Sequence, residues 1–164
     1  MLYNIEVPYS KIIGGQEMSR VSDLLKIVHP AEGKVITIRP DATIQAAAKV
    51  MKEKNIGAMP VVIDGVVVGI VSERIFSQEI TAAGIDSSTV KVADYMSPDP
   101  KSVTPLTDMM DCLSIMQDSN SSHVTVIDEE RLVGIISLRD VLKANLKEKS
   151  LEAEHLGEYY RLPR

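Results

Sequence analysis

The most constraining feature of this sequence is an internal repeat. When the chain is shifted by 65 residues, positions 37–76 align with positions 102–141 without a gap, and nine of those 40 positions are identical. Ten of the remaining 31 pairs match apolar with apolar residues. A short prelude, 21–25 and 92–96, also recurs, but with an offset of 71, so the first copy carries six additional residues. These observations predict two structurally equivalent units.

Each copy predicts a strand, a helix, a hairpin and a second helix. Val35–Ile38 is a short β-branched segment that ends before Pro40. The next segment places apolar residues at i, i+3, i+4 and i+7, which indicates one buried helical face. These residues are Ile44, Ala47, Ala48 and Met51 in the first copy, and Met109, Cys112, Leu113 and Met116 in the second. A hairpin turn is predicted at Asp64-Gly65, with a weaker signal at Glu129-Glu130. The last helix of the first copy is predicted from Glu73 to Ala83, ending at Gly84.

Composition limits the class of protein. The chain has 164 residues, 45% apolar residues, no Trp and a net charge of −5, which predict an aliphatic core and argue against a general nucleic-acid binder. A single cysteine excludes an intramolecular disulfide and a thiolate metal cluster, and the three histidines are too scattered for a metal motif. No apolar run predicts a membrane span, and the first residues lack a signal-peptide pattern. We therefore expect a cytoplasmic protein without a metal.

The hairpins and the helix starts that follow them carry a resemblance to a known family. The motifs are Met59-Pro60-Val61-Val62, Gly69-Ile70-Val71-Ser72-Glu73-Arg74, His123-Val124-Thr125-Val126 and Gly134-Ile135-Ile136-Ser137-Leu138-Arg139-Asp140. Each copy resembles a CBS domain, and the tandem resembles a Bateman module of small bacterial stand-alone proteins. The resemblance implies an α/β (α+β) fold with two repeats packed about a pseudo-two-fold axis. We expect an N-terminal extension at 1–17, repeat 1 at 18–86, repeat 2 at 87–147 and a C-terminal helical extension at 148–164.

The resemblance also implies a function. Family members commonly bind AMP, ADP, ATP, NAD(H) or S-adenosylmethionine in clefts between the repeats, and most regulate an enzyme or a transporter. No fused catalytic domain, P-loop or nucleophile–base pair is present in the sequence. We therefore expect a non-enzymatic, ligand-sensing regulatory module that acts on an unidentified protein. The alternative is a dimeric interaction or scaffold module that binds no nucleotide.

Ser137 and Asp140 form the sharpest candidate site. In the family, residues at these positions hold phosphate and the ribose hydroxyls, respectively. A strand-to-helix junction suits phosphate, and an ionised carboxylate can accept two hydrogen bonds from a cis-diol. The alternative is that Ser137-x-x-Asp140 is a capping box. The first copy keeps Ser72 but has Ile75 in place of the acid, so we expect the first cleft to be empty, weak or adapted to another ligand, with Arg39 and Arg74 as possible anion contacts.

The other candidate contacts each have a structural alternative. They are Arg139, His123, Val124, Thr125, Thr104 and Ser102. Arg139 could reach phosphate or remain a solvated helix residue, and His123 could contact ligand or serve the fold. Thr125 stands where the family often has Pro, in the segment that contacts the base. Ser102 and Thr104 could bind adenine or phosphate, or simply serve a strand and a turn.

The last helix predicts an assembly. An apolar stripe runs from Leu138 to Tyr160, and a helix of that length extends beyond the repeat that it starts from. We expect a homodimer formed through the CBS faces and this helix. In the alternative, Leu2, Tyr3 and Ile5 of the N-terminal segment cover the helix within one chain.

Overall fold

The computed structural model describes residues 20–28 and 35–146. The described elements up to the end of the first repeat are α1 (Val21–Val28), α2 (Ile44–Lys54), β1 (Ala58–Ile63), β2 (Val66–Ser72), α3 (Glu73–Ile75) and a π-helical segment (Phe76–Thr81). They are followed by α4 (Val92–Tyr95), β3 (Ser97–Pro98), β4 (Ser102–Val103), α5 (Met109–Asp118), β5 (His123–Asp128), β6 (Arg131–Ser137) and α6, described over 138–146. The extensions at 1–17 and 148–164, and the distal part of the long helix, lie outside the described residues.

The strands form two three-stranded sheets, in the orders β1-β2-β3 and β4-β5-β6. The hairpins β1–β2 and β5–β6 are antiparallel, whereas β4 runs parallel to β5. The mixed helix and sheet fold with two repeats is therefore confirmed. The strand predicted at Val35–Ile38 is reduced to one parallel bridge between Ile38 and Val61, at the position that matches Val103 and Val126 in the second sheet. Ile38 donates to the Pro60 carbonyl at 3.0 Å and accepts from the Val62 N–H at 2.9 Å, and these two hydrogen bonds hold the segment without a longer ladder.

The two hairpins turn in the same way despite different sequences. Asp64 and Gly65 have φ of 49° and 88°, as the Asp-Gly signal predicts, and Glu129 and Glu130 have φ of 44° and 64°. All four residues are therefore in the left-handed region, in which Gly is favoured and Glu is strained. Each hairpin also contains a register shift at the same place, between Val61 and Val62 and between positions 126 and 127.

The helices at the start of the two repeats are exchanged. Val21 and Leu24 of α1 are buried in the core that β4, β5, β6 and α5 form, and Val92 of α4 is buried in the core of the first repeat. The backbone bonds match in pairs. Val21 N–H donates to the carbonyl of Thr107 at 2.9 Å, and Val92 N–H donates to that of Ala42 at 2.8 Å. Each core therefore takes its first helix from the segment that precedes the other repeat.

The helical faces follow the predicted periodicity. The buried positions are Ile44, Ala47 and Met51 in α2, and Met109, Cys112 and Met116 in α5. The predicted helix from Glu73 begins as expected but changes to π-helical geometry after Ile75. Ala82 N–H binds the carbonyl of Ser77 at 3.1 Å, which is a bond between residues five apart. This short π-helical segment distinguishes repeat 1 from repeat 2, in which residues 138–146 are α-helical.

Candidate functional site

Two open clefts lie between the repeats. The first, with a volume of about 630 Å³, is lined by the π-helical segment, by the linker around β3 and by the end of α5. The second, about 1340 Å³, is lined by the end of α2, the start of β1 and the start of α6. Ser72, Arg74, Ser122 and His123 line both clefts. The two volumes are therefore neighbours that meet along one seam.

Ser137 and Asp140 are half-buried and lie together in the wall of the second cleft. The Ser137 N–H donates to Asp140 Oδ2 at 3.0 Å, the Ser137 hydroxyl donates to the same oxygen, and the Asp140 N–H donates to Ser137 Oγ at 3.2 Å. This is a reciprocal capping box. Oδ1 of Asp140 makes no hydrogen bond with any described residue. The capping box therefore uses one oxygen of the carboxylate, and the other oxygen is available to a ligand.

The equivalent position in the first cleft is apolar. Ile75 is 9% exposed, packs in the core of the first repeat and also lines the cleft. Ser72, the counterpart of Ser137, makes no side-chain capping bond with a described residue. The two clefts therefore differ in chemistry at the position where the sequence predicted the difference.

His123 is the first residue of β5, at the seam between the clefts. Its Nδ1 lies 3.1 Å from Ser122 Oγ. Burial lowers the pKa of His123, Arg139 lowers it further, and the carboxylates of Asp140 and Glu73 oppose these effects. Because the pKa is below its ordinary value of 6.5, the imidazole is neutral at pH 7. One ring nitrogen can then donate a hydrogen bond, and the other can accept one.

Four other candidate residues line neither cleft, namely Ser102, Thr104, Val124 and Thr125. Val124 and Thr125 are fully buried. Thr125 Oγ1 lies 2.7 Å from Ser102 Oγ, so these two hydroxyls bind each other across the β4–β5 pair. Thr104 N–H donates to Thr107 Oγ1 at 3.0 Å, in the turn before α5. The structure thus brings Ser137, Arg139, Asp140 and His123 together in the second cleft and assigns the other four residues to the sheet and a turn.

Sequence reasoning missed the opposite wall of the second cleft, which comes from repeat 1. Its residues include Lys52, Asn55, Ile56, Gly57 and Ala58. One signal was present in the repeat alignment, because Asn55 and Asn120 are identical. Both have left-handed φ, 53° and 48°, and lie one or two residues after the end of a helix, at a cleft. Such identical helix-ending residues mark the loops that face the other repeat.

No group of three or more His, Cys, Asp or Glu side chains within 20–28 and 35–146 is placed to hold a metal ion. In the same ranges, no helix has both the length and the apolar character needed to cross a membrane. The chemistry of the second cleft is that of polar and charged side chains around a partly apolar floor, which suits reversible binding of a small polar ligand.

The fold and the clefts define a class of protein, namely a tandem-repeat module with ligand-sized clefts between its halves. The CBS domain matches residues 21–80 and 92–147, so this chain belongs to the CBS-domain family and carries two CBS domains. CBS-pair modules are regulatory and often bind adenosine-containing ligands.

Individual relatives agree with this assignment. The CBS domain-containing protein YhcV of Bacillus subtilis is 34% identical, over 71% of this chain and 83% of YhcV. A putative signal-transduction protein with CBS domains from Burkholderia ambifaria has a similar structure, with a TM-score of 0.74 and 27% identity, over 79% of this chain and 95% of that one. A hexameric CBS-CP12 protein from bloom-forming cyanobacteria is also similar, with a TM-score of 0.68 and 27% identity, over 77% and 72% of the two chains. Proteins of this family therefore include oligomers.

Proposed function

We propose that this chain is a regulatory module that binds an adenosine-containing ligand in its second cleft, with the ribose on Asp140. One observation carries the proposal. The Asp140 carboxylate is held through Oδ2 by Ser137, while Oδ1 is left without a hydrogen bond among the described residues. A carboxylate held in this way needs little reorganisation to accept hydrogen bonds from two neighbouring ribose hydroxyls, and prior ordering favours affinity.

The surroundings of Asp140 support the same ligand class. Ser137 stands at the start of α6, where free N–H groups and the helix dipole favour a phosphate group. Ile36, Ile56 and Ile135 line the cleft and supply apolar surface for a purine base. Both parts of an adenine nucleotide therefore have suitable neighbours in the second cleft.

The first cleft supports a stoichiometry of one ligand per chain. With Ile75 in place of a carboxylate, a ribose would lose its acceptor and would contact an aliphatic side chain. Leaving the ribose hydroxyls without partners costs more than a simple loss of contact, because they must give up their water.

Calorimetry on the full chain with AMP, ATP, NADH and S-adenosylmethionine tests the proposal. Asp140→Ala should weaken binding by about 1.5–3 kcal/mol, or about 10- to 150-fold, the range of a hydrogen bond to a charged group. Asp108→Ala is the matched control, because Asp108 also caps a helix, accepting the Met110 N–H at 2.7 Å, but lies in neither cleft. Both variants should lose about 1 kcal/mol of stability. If the two variants bind equally well, Asp140 is only a helix cap.

A dimeric interaction module is the second candidate, and one observation favours it. Leu138, Leu142 and Leu146 recur every four residues along α6 and are 37%, 48% and 69% exposed. Such a stripe on one helical face is suited to a second copy of the chain. The two candidates separate experimentally, since a scaffold would form dimers yet give no binding heat with any of the four adenosine ligands.

A further inference from the structure

The described charges are distributed unequally between the two clefts. The second cleft is lined by four cationic side chains, Lys52, Arg74, Arg139 and Lys143, against two carboxylates, Glu73 and Asp140. The described lining of the first cleft has two cations against three carboxylates, at positions 79, 94 and 99. The described lining of the second cleft therefore carries net positive charge, and that of the first cleft carries net negative charge.

Two arginines at equivalent repeat positions both serve the second cleft. Arg74 and Arg139 are related by the offset of 65 residues. Arg139 lines only the second cleft, whereas Arg74 lines both clefts. The second cleft therefore receives one arginine from each repeat. Arg74 uses its Nε to bind Gln78 at 3.1 Å, which leaves its terminal nitrogens for an anion.

The other cations of the second cleft are Lys52, Arg139 and Lys143. Within the described residues, the side chains of Lys52, Arg139 and Lys143 make no ion pair or hydrogen bond. Lys52 lies in the last turn of α2, and Lys143 lies one turn beyond Arg139 on α6, so cations approach from both repeats. With four cations against two carboxylates, the described lining of this cleft carries net positive charge, which favours an anionic ligand.

We propose that the second cleft selects adenosine ligands that carry two or more phosphate groups and discriminates against S-adenosylmethionine. This specificity rests on the proposed adenosine site at Asp140 and extends it from the ribose to the opposite end of the ligand. Arg74, Arg139, Lys52 and Lys143 bind the phosphate chain. S-adenosylmethionine carries a sulfonium, an ammonium and one carboxylate group instead, so it is a net cation, and the same four cations repel it.

Titration calorimetry of the full chain, in buffer free of divalent cations, compares ATP, ADP, AMP, S-adenosylmethionine and inorganic tripolyphosphate. We expect ATP to bind at least about tenfold more tightly than AMP and about 100-fold more tightly than S-adenosylmethionine, and tripolyphosphate to compete with ATP. Raising NaCl from about 50 to about 300 mM should weaken ATP binding more than AMP binding, because screening grows with ionic strength.

Paired variants assign the effect to the second cleft. Arg139→Gln with Lys143→Gln should weaken ATP binding by about tenfold and change AMP binding by less than about threefold. The matched control is Lys101→Gln with Lys49→Gln, which changes the net charge equally. Lys101 lines only the first cleft and Lys49 lines neither, so both affinities should persist.

The outcomes distinguish the two proposals. If AMP binds through Asp140 but ATP and S-adenosylmethionine bind no differently, the phosphate specificity is wrong and the adenosine site stands. If both double variants lose ATP binding equally, the effect is one of overall charge and the assignment to this cleft is wrong. If none of the adenosine ligands binds, both proposals fall.

Discussion

Replacing Ile75 by Asp should create a second ribose site, because it gives the first cleft the acid that Asp140 supplies in the second. The backbone needed for it is already present. Ser72 occupies the position of Ser137, has extended φ and ψ of −141° and 162°, and forms no side-chain capping bond with the described residues. An Asp at position 75 would complete the same reciprocal box, so its carboxylate would be oriented as in the second repeat.

The stability cost can be worked from burial. Ile75 is 9% exposed, so removing its side chain from the core costs about 2–4 kcal/mol, and the new capping box returns about 1 kcal/mol. We therefore expect a loss of at least about 1–3 kcal/mol, to which the desolvation of the new carboxylate adds, and each kcal/mol lowers the melting temperature by roughly 2–4 °C in a chain of this size. Ile75→Ala is the matched control, because it removes the same apolar contacts without building the box.

The assay is calorimetric stoichiometry with adenosine, since the acidic lining of the first cleft does not favour a phosphate chain. The Ile75→Asp variant should bind two adenosines per chain, whereas the parent chain and Ile75→Ala should bind one. A folded Ile75→Asp variant that still binds one adenosine would refute the reasoning.

Three further properties can be tested directly. Glu130→Gly should stabilise the chain by about 1 kcal/mol in urea unfolding, because Glu130 has a φ of 64°, whereas Gly65→Glu should destabilise the equivalent turn; equal stabilities would show that neither turn is strained. Burial raises the pKa of Cys112 to about 11 from 9.0, so the unfolded chain loses the thiol proton first and stability falls as the pH rises from about 9 to about 11. Cys112→Ala should lack this alkaline loss, and rapid labelling of Cys112 by a thiol reagent in the folded chain at pH 7 would contradict its burial. Leu142→Glu, which places a charge in the exposed leucine stripe of α6, should convert a dimer to a monomer in light scattering, and an unchanged mass would exclude this face from the interface.

The sequence predicted most of the secondary structure because its signals are local. The apolar spacing of Ile44, Ala47 and Met51 identifies a buried face regardless of the partner. It does not identify which core that face enters, so the exchange of α1 and α4 could not be predicted from Val21 or Val92. The π-helical segment was missed for a related reason, since the pattern around Phe76 is equally compatible with an ordinary α-helix.

The candidate site was predictable where it lies within one stretch of chain. Ser137, Arg139 and Asp140 belong to one strand-to-helix junction, and their relative positions follow from helical geometry. Lys52 and Asn55 reach the same cleft from the other repeat, which local sequence does not reveal. Thr125 and Ser102 were predicted as ligand contacts because their side chains are polar. In the structure, their hydroxyl groups form a hydrogen bond with each other inside the sheet.

The exchange of α1 and α4 makes the two repeats interdependent in folding. Neither core can close until chain segments from both halves have met, so many stabilising contacts join residues far apart in sequence, and such topologies fold slowly. A repeat cut from the chain at the linker would lose Val21 and Leu24, or Val92, from its core. We therefore expect the described halves to unfold together in a single cooperative transition. Under the proposed function, a ligand held in one cleft would resist the opening of both halves at once, so occupancy of a single site would be communicated through the stability of the entire module.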